Sequence, residues 1–265
     1  MINDDVLLRA YDDQLRGISH TQRSGLIVEQ DGPVLRVSGQ SRGFVTGPRD
    51  LGVTGARLDE LIARQRDFFA ARGEAVEWKT RGHDLPADLP DRLRAAGFVP
   101  EEQETVVIGV AAELAADPVV PAGVTLGEVS SDADIHQIAA LETEIWDHDW
   151  SWLAGELISR RSAAPDDIEF FAVREEGSGR MVSAAWLSYY PGSDFAAFMG
   201  GSTLAAWRGR GIYRALVAVR ARRAVTRGVR YLQVDASDDS APILRRLGFR
   251  AVTTTTPYVW APPGA

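Results

Sequence analysis

The chain has no cysteine. That absence excludes a disulfide framework, a thiol nucleophile and a thiolate metal site. No apolar run approaches the roughly 18 residues that cross a bilayer, and residues 1–17 are acidic where a signal peptide needs a basic start and an apolar centre. The expectation is a cytoplasmic protein with no membrane partner. Positive charge is also short: 29 Lys and Arg against 37 Asp and Glu leave a formal net charge of −8. Coating the phosphates of a nucleic acid requires a broad basic face, so no nucleic-acid partner is expected. What remains is ordinary globular material, 265 residues of which 45% are hydrophobic, enough for one large domain or two of usual size.

Periodicity divides the chain into two similar halves. From Gly55, Leu58, Leu61, Ile62, Phe68 and Phe69 recur near helical spacing, and the run closes on Gly73. A short strand "AVEWK", a Pro-rich turn, the segment "DLPDRLRAAGF" and the apolar run "TVVIGV" follow. From Gly211 the same order returns: a helix carrying Ile212, Leu216 and Val219 that ends in Arg-Gly, then "VRYLQV", the turn "DASDDS", "APILRRLGF" and "AVTTTTPYVW". The pattern reads as one supersecondary unit used twice. Ala, Pro and Gly gather at 111–124, which sets expected domains at 1–115 and 122–265. The second half reads as strand 124–129, helices 132–146 and 152–161, strands 168–174, 180–189 and 195–204, helix 211–227, strand 229–235, helix 239–247 and strand 250–260. This is an α/β (α+β) domain with a mostly antiparallel sheet. The strands either side of helix 211–227 should run parallel, because a helical crossover joins them.

The stretch "AAWRGRGIYRAL", residues 205–216, sets three arginines, Arg208, Arg210 and Arg214, around a helix start in an acidic protein. A helix N-terminus is already the positive end of the macrodipole, so this placement stacks like charge on like. It makes sense if an anion sits there. The first helical turn has backbone N–H groups without intrahelical partners, and Gly209 and Gly211 let an anion approach them. A diphosphate meets the demand. The alternative is that the arginines point into water and the glycines serve a turn.

Arg208-Gly209-Arg210-Gly211-Ile212-Tyr213, after an apolar strand and before an amphipathic helix, resembles the central motif of the GNAT superfamily of acyl-CoA-dependent N-acetyltransferases. "SDDSAPILRRLGF" resembles that family's second motif, and the likeness covers residues 122–260, with residues 1–110 a degenerate copy. The resemblance implies acetyl-CoA as co-substrate, no metal, and an amine acceptor. It implies cofactor contacts from Arg208, Gly209, Arg210, Gly211, Ile212, Tyr213 and Ser237, and contacts from Gly201, Ser202 and Thr203 to a pantetheine arm lying beside a bulged strand. Tyr213 departs from the small residue usual at the motif's end. Two glycines inside "FAAFMGGSTL" fit a bulge, though they also fit close packing by a neighbour.

An amine must attack unprotonated and sulfur must leave as thiol or thiolate, so a general base and acid are useful at neutral pH. Asp194, at the start of the central strand, is the candidate base, with a turn role as the alternative. The family's usual tyrosine falls at Leu244, so the hydroxyl is missing there. Tyr258 is the substitute acid, with core packing as the alternative. The segment "ETEIWDHDWSW", residues 142–152, mixes carboxylates with indoles, and Trp146, Asp147 and Trp150 are candidate acceptor contacts for a cationic amine, with inward-packing tryptophans and solvated carboxylates as the alternative. His148 has no second ligand at metal-binding spacing. Two rival readings remain: an acyl-CoA-sensing module that binds without turnover, and a nucleotide-phosphate binder, which would lack the P-loop Lys-Ser/Thr.

Overall fold

A computed structural model describes residues 3–16, 26–39 and 42–263. In chain order the elements are α1 (Asp4–Leu15), β1 (Ile27–Asp31), β2 (Val34–Ser38), β3 (Gly43–Thr46), α2 (Ala56–Ala70), β4 (Val76–Arg81), α3 (Leu89–Ala95), β5 (Val99–Pro100) and β6 (Glu104–Val110). They continue as α4 (Ala111–Leu114), β7 (Val124–Val129), α5 (Asp132–Trp146), α6 (Ser151–Ala163), β8 (Ile168–Glu175), β9 (Met181–Tyr189), β10 (Phe195–Thr203), α7 (Ile212–Thr226), β11 (Tyr231–Ala236), α8 (Ala241–Arg246) and β12 (Arg250–Trp260). Two compact units result, one of residues 1–107 with 235–245 and 250–265, the other of residues 108–234 with 246–249.

In the first unit β1, β2 and β3 form an antiparallel meander, β3 runs parallel to β4, and β12 lies antiparallel to β4 with β5 on β12. Leu58, Leu61, Ile62 and Phe69, the apolar stripe of α2, bury themselves against Val76 and Trp78 of β4. Asn3 caps α1 by accepting from the Val6 N–H at 2.9 Å. Where the β3–β4 ladder ends, two buried guanidinium groups occupy the neighbourhood: Arg81 Nη1 donates to Thr46 Oγ1 at 3.1 Å, and Arg16 Nη1 to the Gly47 carbonyl at 3.4 Å.

β12 is the main departure from the linear boundary. Sequence order assigns residues 250–260 to the second half, yet Thr255 to Trp260 pair with Arg81 to Val76. A terminal strand joins whichever edge offers free N–H and C=O groups, and sequence order does not fix that edge.

The second unit has sheet order β11-β10-β9-β8-β7, antiparallel except for β10 beside β11. β9 is buried along its whole length, which its near-continuous apolar run requires. Its observed elements match the expected spans to within two residues at nearly every end. Both parallel pairs, β3 with β4 and β10 with β11, are bridged by a 15-residue helix whose N-cap is a positive-φ glycine, Gly55 at 57° and Gly211 at 92°. Among the described residues no helix is long and apolar enough to cross a membrane.

Candidate active site

The site begins where β10 stops being regular. β10 pairs with β11 only from Phe195↔Tyr231 to Ala197↔Gln233, although β10 continues to Thr203. Its register with β9 shifts between Gly200 and Ser202, a bulge that leaves Gly201 without a partner. Gly200 and Gly201 have φ of 64° and 95°, a region that only glycine enters freely. Space demands glycine as well. A Cβ on Gly200 would lie 2.5 Å from the Trp186 ring, and one on Gly201 would lie 2.8 Å from Tyr213 Cε2. Tyr213, the large residue where the motif resemblance leads one to expect a small one, is thus accommodated by the missing side chain at Gly201.

From Thr203 the chain passes through a 3₁₀ turn, Ala205–Trp207, into Arg208–Gly211 and α7. Arg208 Nε donates to the Thr203 carbonyl at 2.9 Å, which ties this loop to the end of β10. Arg210 stacks 4.5 Å over the Trp207 ring. The N-cap Gly211 has no side chain to accept from the first turn, and no acidic residue stands there, so the first N–H groups of α7 keep their donors. A Cβ on Gly209 would meet nothing within 4 Å, so the loop faces open space. Arg161, Arg174, Arg180, Arg222 and Arg223 in this unit each face a carboxylate. Exposed Arg208, Arg210 and Arg214 form no ion pair among the described residues. Donors, guanidinium groups and room coincide, and the residues present suit a diphosphate.

One buried carboxylate escaped sequence reasoning. Glu142, on the sheet-facing side of α5, is 5% exposed, and its Oε2 accepts from Ser202 Oγ and Trp146 Nε1, each at 2.8 Å. Its Oε1 is buried with no partner among the described residues. Burial pushes the Glu142 carboxyl above its ordinary value, against the opposing pull of the Ser202 and Trp146 hydrogen bonds. A carboxylate held one residue beyond the bulge, with a free oxygen and raised proton affinity, is equipped to take a proton. The only sequence cue was its place in "ETEIW", where a helical Glu looks solvated.

The expected site residues divide clearly. Gly201, Ser202, Thr203, Arg208, Gly209, Arg210, Gly211, Ile212 and Tyr213 form one continuous stretch from the bulge to the first turn of α7; Ile212 itself is buried. Trp146 ends α5 with its ring 57% exposed, and Asp147 turns the chain at φ 49°. Trp150 stacks on Trp152 with centroids 5.3 Å apart, and its amide donates to Thr143 Oγ1, next to Glu142.

Two residues stand elsewhere. Asp194 is at the opposite end of β10, seven residues or about 23 Å of strand from Gly201. Its carbonyl accepts from the Arg230 and Tyr231 amides, and its carboxylate lies 3.5 Å from Arg230. Those backbone bonds begin the β10–β11 pairing, and they hold Asp194 at the strand end remote from the bulge. Tyr258 is 3% exposed in the core of the first unit, which removes the general-acid expectation. Ser237 directly follows the last residue of β11, Ala236, and its hydroxyl is 3.2 Å from that of Ser240 just before α8. Leu244 is fully buried.

At the level of sequence, no protein-family model and no curated protein matches the chain. Solved structures do match in fold. A GCN5-related N-acetyltransferase from Kribbella flavida is 18% identical, with 99% of this chain and 95% of that one aligned at a TM-score of 0.68. A tandem GNAT protein from the clavulanic acid biosynthesis pathway is 14% identical, with 98% and 96% covered at 0.63. A GCN5-related N-acetyltransferase from Sphaerobacter thermophilus is 18% identical, with 89% and 83% covered at 0.62. The fold is that of the GNAT acetyltransferases, a tandem protein among them. Among the described residues no group of His, Cys, Asp and Glu could hold a metal ion.

Proposed function

We propose that the second unit transfers an acetyl group from acetyl-CoA to an amine. The observation that carries the reading is the uncapped, glycine-opened start of α7, with unpaired arginines beside it, directly after a bulged strand that has left its parallel neighbour. The N–H groups of residues 209–213, with Arg208 and Arg210, hold the diphosphate, and the irregular edge of β10 from Gly201 to Thr203 hydrogen-bonds the pantetheine arm. Bound acetyl-CoA supplies a thioester, whose carbon accepts the amine lone pair as the C–S bond breaks and the thiolate leaves. Glu142 takes the proton that the ammonium must lose. Its buried Oε1 is the accepting atom, and Ser202 and Trp146 fix the other oxygen so that the carboxylate does not rotate away.

The acceptor is cationic on this reading. The exposed Trp146 ring offers cation–π contact, and Asp147 and Asp149 add negative charge beside it. Asp149 is held ionised by the Ser151 backbone N–H, which lowers its proton affinity. The first unit holds no second cofactor: its loop from 47 to 55 lacks the paired arginines, and Arg16 and Arg81 occupy the end of its parallel ladder.

Thiol release from acetyl-CoA across a panel of diamines, aminoglycosides and amino-acid amides tests the reading. Turnover with at least one cationic amine is expected. Tight binding with release at background would favour the acyl-CoA-sensing alternative, and absence of binding would overturn both.

A further inference from the structure

Behind the bulge lies a charge that the proposed reaction does not yet use. Arg220, two turns into α7, is 1% exposed. No carboxylate among the described residues is bonded to it. Its Nε donates to the Leu216 carbonyl at 3.0 Å, its Nη1 to the carbonyls of Trp186 and Met199, each at 3.3 Å, and its guanidinium carbon lies 4.0 Å from the centre of the Phe198 ring. Trp186 and Met199 are partners across the β9–β10 ladder, one rung before Gly200↔Ala185, the last before the register shifts. Its Nη2 lies 3.8 Å from where a Cβ on Gly201 would stand. Burial pulls its proton affinity down to about 10, the nearby Tyr213 opposing, so the group stays cationic at neutral pH.

A buried cation facing only neutral carbonyls is costly, and an apolar side chain of similar length would pack there at less expense. The carbonyl of Met199 belongs to the same peptide as the nitrogen of Gly200. A charge-assisted hydrogen bond to that oxygen polarises the whole peptide and makes the Gly200 N–H a stronger donor. We propose that Arg220 is a positioning residue for acyl transfer, clamping the Met199–Trp186 rung of β9 and β10 and, through the Met199–Gly200 peptide, presenting a fixed positive potential to the oxyanion that forms when the thioester carbonyl is attacked. The inference rests on the acetyl-transfer reading above. Its effect is confined to the transition state, because the ground-state carbonyl carries little charge.

The test compares Arg220→Met, which keeps length and loses charge, with Arg220→Lys, which keeps charge and loses the fork. Arg220→Met is expected to lower kcat by about 10-fold or more while KM for acetyl-CoA stays within about 2-fold. Its Tm is expected to hold or rise. A merely structural arginine gives a different result, with Tm and kcat falling together, and that outcome, or a wild-type kcat in Arg220→Met, would overturn the inference. Arg220→Lys is expected to retain at least about threefold more kcat than Arg220→Met; equal rates would overturn it. If Arg220→Met does not fold, Arg220→Lys decides alone: a fall of about threefold in kcat at unchanged Tm supports the inference, and an unchanged kcat overturns it. Wild-type turnover is measured first. Its absence overturns the acetyl-transfer reading along with this one, whereas turnover with an indifferent Arg220→Met overturns this one only.

Discussion

Replacing Glu142 with Gln keeps the size of the side chain and an oxygen for Ser202 and Trp146, and removes only the ability to take a proton. A positioned general base contributes about 10²–10⁴ in rate, or about 2.7–5.4 kcal/mol of barrier at 1.36 kcal/mol per tenfold. Glu142→Gln should therefore lower kcat by that factor, with acetyl-CoA affinity unchanged because the amide oxygen still accepts from Ser202 and leaves the β10 edge in place. The wild-type kcat should rise with pH through the carboxyl's pKa, which burial sets above the ordinary 4.5, and the residual rate of the variant should lose that limb. Stability should move the opposite way. The folded state holds the Glu142 proton at pH values where the unfolded chain has already released it, so wild-type stability falls as pH rises from about 4.5 through the raised value. The Gln variant escapes that loss: its Tm should equal the wild-type Tm near pH 4 and exceed it at pH 7. Stopped thiol-release kinetics and thermal melts across pH check both halves. A kcat within about 3-fold of wild type, or a Tm gap independent of pH, would refute the reasoning.

Other outcomes follow from the same geometry. Arg208→Glu or Arg210→Glu should weaken acetyl-CoA binding by about 10–100-fold by calorimetry, since each reverses a charge beside the helix start. Gly201→Ala puts a Cβ 2.8 Å from the Tyr213 ring at φ 95° and should destabilise by about 1–3 kcal/mol; combining it with Tyr213→Ala should recover part of the loss, the clash but not the backbone strain. Asp194→Asn and Tyr258→Phe should leave kcat within about 2-fold of wild type, because neither side chain stands at the bulge and surface or conservative changes seldom propagate.

The second unit was legible because its signals are local. Hairpin turns, Gly pairs and the glycines that bracket the helix placed β10 and α7 to within a residue or so: 195–204 and 211–227 against Phe195–Thr203 and Ile212–Thr226. Residues 27–46 were not recognised as three strands, since β1 has no fully buried residue and no apolar alternation to read. α1 went unread although Asn3 supplies a cap, because its acidic residues drew attention to charge instead of period. Glu142 and Arg220 were hidden for a different reason. Each looks like a solvated helical charge until a partner distant in sequence is known, Ser202 for one and Trp186 for the other. Where Asp194 and Tyr258 fall relative to the bulge was hidden similarly: position along a strand and membership of a core are tertiary facts.

A crystal structure of the chain with CoA tests the central claim most directly. The account predicts diphosphate oxygens about 2.7–3.1 Å from the N–H groups of residues 209–213, flanked by Arg208 and Arg210, with the pantetheine arm along Gly201–Thr203. Diphosphate density at any other helix end, or none at saturating CoA, would contradict it.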